Sequence, residues 1–163
     1  MKYGIALAAA AAALALAAPA GAQRLDTRFS CSSTTTEDGE RVIYSDVGEA
    51  HLNGNRIESF RWESSLFRPT YGFDCSIDDG DGLQAELMQG MERDAWRITL
   101  RDARAARAAR GYDFERGLNC SIRLERRGDT LAVKPSCPAM CGSRANFTDL
   151  TVDLKTGTCH YAD

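Results

Sequence analysis

The sequence predicts a mainly β protein, an antiparallel sandwich or small barrel with one short helix at about residues 101–110, stapled by disulfides. Three observations predict it. Apolar–polar alternations recur along the chain between Gly, Asn and Asp turns, as half-buried antiparallel strands require. The strand–helix–strand rhythm of a parallel sheet is missing. Six cysteines, an even number, follow an export signal, which is the pattern of a disulfide framework.

The chain starts Met1-Lys2-Tyr3, runs apolar from Gly4 to about Ala18, and reaches the small-residue stretch Pro19-Ala20-Gly21-Ala22. That is the layout of a secretory signal peptide, with cleavage expected after Ala22. The apolar run is about 15 residues, short of the roughly 20 that a spanning helix needs. Residues 1–22 are therefore read as signal peptide and 23–163 as a single β-rich domain of 141 residues, long enough to build a core. No later stretch is apolar enough to span a bilayer. Losing Lys2 takes the net charge from −3 to −4. Arginine outnumbers lysine 17 to 3 and alanine is abundant, a composition read as bacterial, so the expected location is periplasmic or extracellular.

Taken in order, Arg28–Ser32 reads as a first strand and Glu37–Glu40 as a turn. Arg41–Ser45 is β-branched and aromatic, hence a strand. Asn53-Gly54 supplies the left-handed positions of a tight hairpin, with Phe60 and Trp62 on one face of the outgoing strand and Ile57 on the other. Tyr71, Phe73, Cys75 and Ile77 alternate onto one face. Asp78-Asp79-Gly80-Asp81-Gly82 must turn, and Leu83–Met88 returns. Trp96, Ile98 and Leu100 form the next apolar row. Arg101–Arg110 breaks the rhythm with strong helix formers and Gly111 as C-cap. Strands resume at Cys120, Ile122 and Leu124, at Leu131 and Val133, at Leu150, Val152 and Leu154, and at Thr158–Tyr161. That makes about eight to ten short strands.

The cysteines Cys31, Cys75, Cys120, Cys137, Cys141 and Cys159 allow 15 pairings, which sequence cannot choose among. The leading expectation is Cys31–Cys75, Cys137–Cys141 and Cys120–Cys159. Cys120–Cys137 with Cys141–Cys159 is close behind. Zinc on Cys137, Cys141, Cys159 and His160 is disfavoured because an oxidising compartment opposes free thiolates. Cys-x3-Cys also has the wrong spacing for a thioredoxin-like site. The acidic turn Asp78–Gly82 does not fit the calcium-loop pattern. No metal and no cofactor are expected. The two histidines, His51 and His160, stand in no catalytic motif, and carboxylate spacing selects no acid/base pair. No catalytic residue is assigned.

Charge is unevenly spread. Residues 93–127 hold ten Arg against five acids, and residues 23–92 six Arg against fourteen. The helix puts Arg101, Arg104, Arg107 and Arg110 on one half and alanines on the other, a candidate anion-binding face. The block lacks the interleaved aromatics that stack on nucleobases, so nucleic acid is not expected as a partner.

Cys137-Pro138-Ala139-Met140-Cys141-Gly142-Ser143-Arg144-Ala145-Asn146-Phe147 resembles the Cys-x3-Cys-Gly tails of small exported bacterial proteins, some of which are similar to periplasmic lysozyme inhibitors. The resemblance covers about a dozen residues and carries over no site residue. It implies a non-enzymatic exported binding domain, in its sharpest form an inhibitor of a basic cell-wall hydrolase such as lysozyme. Pro138, Ala139 and Met140 form the candidate partner loop, and the expected partner is a protein of the cell envelope. An envelope anion-binding role through the Arg face, and a hydrolase with an unrecognised site, are the alternatives.

Overall fold

The computed structural model describes residues 23–88, 94–100, 108–111, 119–141 and 146–162. The described residues contain ten strands: β1 (Arg24–Glu37), β2 (Glu40–Asn53), β3 (Arg56–Phe67), β4 (Gly72–Asp78), β5 (Leu83–Leu87), β6 (Asp94–Leu100), β7 (Ser121–Arg127), β8 (Thr130–Pro135), β9 (Leu150–Asp153) and β10 (Cys159–Tyr161). They form two antiparallel sheets in which sequence neighbours are spatial neighbours, β1-β2-β3-β4 and β10-β9-β8-β7-β6-β5. Of the two architectures expected, the sandwich is the one found.

The first hairpins are longer than the sequence suggests. β1 and β2 pair without interruption over 14 residues each, straight through Gly48. A glycine weakens a strand because it has no side chain to pack. Here Phe29, its direct cross-strand partner, lays its ring over the gap, and a Cβ on Gly48 would come within 2.3 Å of that ring. The expected hairpin forms, but its turn is one residue further on: Gly54 and Asn55 make the turn, with Gly54 at φ 56°, while Asn53 ends β2 and pairs with Arg56 without a left-handed backbone. A register shift at His51/Leu52 then returns Ile57 to the inner side, where it packs against the core. The expectation that Ile57 faces away from Phe60 and Trp62 is corrected by that bulge.

The core lies between the sheets. Leu25, Leu52, Trp62, Ile77, Trp96, Ile98, Ile122, Leu124, Leu131 and Val152 are all buried there. Trp62 is its centre, edge-on to Phe147 at 4.7 Å between ring centroids and to Phe29 at 6.5 Å.

The sheets are stitched at both sides. At one, Ser30 on β1 bridges Thr158 in parallel, the Ser30 N–H donates to Gly157 O at 3.2 Å, and Cys31 bonds Cys159. At the other, β4 passes through a single 3-10 turn, Asp79–Asp81, into β5. Leu87 N–H donates to Asn55 Oδ1 at 2.6 Å, and Trp96 Nε1 donates to Gly54 O at 3.1 Å. The outer edge of β4 is covered as well: Asn146 Nδ2 donates to Phe73 O, Arg110 donates to Ser76 O, and Cys75 bonds Cys141. Covering edges removes templates for unwanted strand pairing.

The disulfides correct the leading expectation. They are Cys31–Cys159, Cys75–Cys141 and Cys120–Cys137; Cys31–Cys75, Cys137–Cys141, Cys120–Cys159 and Cys141–Cys159 do not form. Only Cys120–Cys137 belonged to an expected set, the second one. It closes the open end of the β7–β8 hairpin, next to the pairing of Ser136 N–H with Ser121 O. Three disulfides place the chain in an oxidising environment, outside the cytoplasm. Of the expected helix, Ala108 and Ala109 are helical, and Gly111 takes φ 78° with its N–H on Ala108 O at 3.0 Å, as a C-cap should. Arg101, Arg104 and Arg107 lie outside the described residues. Among the described residues no helix is long and apolar enough to cross a membrane.

Two outcomes follow. Chain-entropy arguments give roughly 3 kcal/mol for a short closed loop and nearly 5 for a long one. Replacing Cys31 and Cys159 (separation 128) by Ser should therefore destabilise more than replacing Cys120 and Cys137 (separation 17), read by chemical denaturation. Gly48→Ala should cost about 1–3 kcal/mol by overpacking against Phe29. A stability equal to that of the parent would refute the ring-over-glycine contact.

Candidate binding surface

Side chains alternate across a strand, so register alone fixes what the outer face of the four-stranded sheet displays. One cross-strand row is Arg28, Glu49 and Arg61; the next is Ser30, Val47 and Glu63. Arg28 Nε lies 3.4 Å from Glu49 Oε2, and Arg61 Nη2 lies 2.7 Å from Glu63 Oε2. Between these pairs stands Val47, 52% exposed. The Thr156-Gly157 turn, pinned to β1 through Ser30, walls one side and leaves a concave surface of about 640 Å³. A second concavity of about 470 Å³ adjoins it, holding Asp26, His51 and Lys155. There His51 Nδ1 sits 2.8 Å from Asp26 Oδ1.

Exposed ion pairs of this kind contribute at most about 1 kcal/mol each. They re-pair with a partner at little cost, so the face suits docking of charged groups around an apolar contact. Further along β2 and β3, Ile43 faces Phe67, and Phe67 and Tyr71 are 46% and 49% exposed. The sequence reading missed this face. Val47 lies between two expected strands, and the alternation places Tyr71 on one face with Phe73, Cys75 and Ile77. β4 begins only at Gly72, so the chain is still turning at Tyr71 and the side chain leaves that row.

Beneath the face lies a buried carboxylate. Asp46, 1% exposed, accepts from Trp62 Nε1 at 2.8 Å and from the Tyr161 hydroxyl at 2.8 Å, with the Ser64 hydroxyl beside it. Burial raises its pKa, and the hydrogen bonds from Ser64, Tyr161 and Trp62 oppose that shift only in part. Burial and the charge of Asp46 also hold the Tyr161 hydroxyl well above its ordinary value.

The residues singled out from sequence separate in the fold. Met140 is 1% exposed and belongs to the core, so the candidate partner loop is corrected: Pro138 is exposed, Ala139 is half-buried and Met140 faces inward. Met140 is drawn in because Cys141, next to it, is bonded to buried Cys75. Pro138 O accepts from both Asn146 N–H and Phe147 N–H, which closes the loop on itself. Arg110 does not belong to an open anion-binding face. Its Nη2 lies 2.9 Å from Asp81 Oδ1 and 3.3 Å from Asp78 Oδ1, and Asp81 is fully buried. The acidic turn is thus occupied by its own chain: Asp79 accepts from Phe60 N–H and Asp78 caps the 3-10 turn. Among the described residues, no group of His, Cys, Asp and Glu is placed to hold a metal ion. No protein-family model, no curated protein and no solved structure matches this chain.

The Asp46 site yields a pH dependence with a defined sign. A carboxyl group whose folded pKa lies above its unfolded value binds more protons folded than unfolded. Its contribution is complete below the ordinary carboxylate pKa and is lost as pH rises through the folded pKa. Asp46→Asn keeps an acceptor for Trp62 and a donor for Tyr161 but does not titrate. The stability of the parent relative to Asp46→Asn should therefore fall as pH rises above the ordinary carboxylate value of about 4. A flat difference above that value would remove the assignment.

Proposed function

We propose that this chain is an exported, non-enzymatic binding domain acting at the cell envelope, and that it is an acidic inhibitor of a basic cell-wall hydrolase such as lysozyme. The observation that carries the reading is the open outer face of the four-stranded sheet, with exposed Val47 set among the Arg28, Glu49, Arg61 and Glu63 pairs. Such a surface is held rigid from behind by Trp62, Asp46 and the edge disulfides, so little order remains to be imposed on docking. Net charge supports the choice of a basic partner: −3 for the whole chain, −4 without the signal peptide read at residues 1–22. The three disulfides agree with export, and the resemblance of the Cys137–Phe147 segment to exported bacterial proteins points the same way.

The alternative of anion binding through Arg101, Arg104, Arg107 and Arg110 is weakened at one of its four members, since Arg110 already pairs with Asp78 and Asp81. It would give binding that fails when Arg104, Arg107 and Arg110 become Ala. On the leading reading, micromolar protein slows lysozyme turnover in a cell-wall clearing assay, and added salt weakens the effect. Val47→Arg, which places a like charge at the centre of the face, should raise the inhibition constant about tenfold or more. Full lysozyme activity at micromolar protein would exclude the inhibitor role.

A further inference from the structure

We infer that the turn joining β3 to β4, Phe67 to Gly72, is the docking anchor of this surface, inserting Phe67 and Tyr71 into an apolar cleft on a basic protein. The inference rests on the reading of a basic protein partner and adds the element that grips it. Three large apolar side chains are prominently exposed among the described residues, and two of them, Phe67 and Tyr71, stand four positions apart on this one turn. Aromatic side chains and arginine are the groups that most often carry the binding energy of an interface.

The turn is built stiff. Arg68 is only 18% exposed in its side chain, with Nη2 2.6 Å from Glu37 Oε2 and Nη1 3.7 Å from Glu40 Oε2. The Tyr44 hydroxyl donates to the other oxygen of Glu37 at 2.6 Å. That bond, with partial burial, raises the Tyr44 pKa, so the hydroxyl keeps the proton it donates. Arg68 N–H donates to Tyr71 O at 2.8 Å, and Pro69 fixes its own φ. The Phe67 ring lies so close over Gly72 that a Cβ there would meet it at 2.7 Å. A turn anchored in this way loses little conformational entropy on binding. Because the bracing charges neutralise one another, the exposed parts of Phe67 and Tyr71, and not the Arg68 guanidinium, are what the turn presents to a partner.

Charge selects the partner. Around the turn stand Glu37, Asp38, Glu40 and Asp74 against Arg41 and Arg68, a net negative rim. An anionic membrane is repelled by such a rim, although exposed aromatics could otherwise suit a bilayer interface. A basic protein is attracted to it, and its approach is steered toward the aromatic tip.

The test compares the full chain with Phe67→Ala/Tyr71→Ala, using immobilised lysozyme and, separately, vesicles of anionic phospholipid. Both side chains are about half exposed and outside the buried core, so the thermal midpoint should stay close to that of the parent. Lysozyme affinity should fall about 100-fold, mostly through faster dissociation. Glu37→Gln, which loosens the brace and spares the rings, should weaken binding by a smaller factor. If the double variant fails to fold, Tyr71→Ser carries the comparison, because Tyr71 precedes β4. Parent and variant binding lysozyme equally well would overturn the anchor and leave the inhibitor reading standing. A parent that does not bind lysozyme would remove the inhibitor reading and the anchor with it. Binding to the vesicles in place of lysozyme would overturn the choice of partner.

Discussion

A carboxylate buried under one sheet holds the two layers of this protein together. Asp46 sits on β2, takes a hydrogen bond from Trp62 on β3 and another from Tyr161 on β10. A buried polar group is tolerated only when it is partnered, and one left unpartnered costs about 1–3 kcal/mol or more. Asp46 therefore fixes where Trp62 points and where the last strand lies. Trp62 in turn sets the aromatic packing of Phe29 and Phe147. Phe29 covers Gly48, which keeps the long β1–β2 hairpin unbroken. The outer face proposed as the contact is the reverse side of this arrangement.

The same geometry explains the disulfides. A sandwich of four and six strands has edges, and those of β1 and β4 both receive a covalent tie from the far end of the chain: Cys159 to β1, Cys141 to β4. Cys120–Cys137 has a different role, closing one hairpin. Such ties contribute roughly 3–5 kcal/mol each, a large addition against the net stability of about 5–15 kcal/mol that is usual for a folded domain. They also free the outer face of the four-stranded sheet from any structural duty. Exposed Val47, Phe67 and Tyr71 contribute little to the core, so a binding role is a physical reason for their presence.

Charge is divided along similar lines. The acidic first half forms the four-stranded sheet and carries the proposed contact. The one arginine of the helix face that is described, Arg110, is spent on the acidic turn at Asp78 and Asp81. Opposite charges that look separate in sequence thus neutralise each other across the fold where they meet.

Local chemistry was legible in the sequence wherever the pattern itself selects the structure. Alternation at Trp96–Leu100, Cys120–Leu124 and Leu150–Val152 identified strands and their buried faces, because a period of two leaves no choice of which residues share a side. Gly54 and Gly111 marked a turn and a helix end, because few other residues tolerate those backbone angles. The Cys120–Cys137 bond was nearly legible too: both cysteines are equidistant from the Arg127-Gly128-Asp129-Thr130 turn, so any in-register hairpin brings them together. Cys31–Cys159 and Cys75–Cys141 were not, since they join strands whose proximity follows from closing one sheet over another. For the same reason the burial of Met140 and the exposure of Tyr71 were not legible in the sequence. Where the alternation is unbroken, sequence determined which residues are strands and which face of each is apolar, because those depend on neighbours along the chain. Only the tertiary structure decided which edges meet, which carboxylate is buried and which face is left open, because those depend on residues more than 100 positions apart sharing one core.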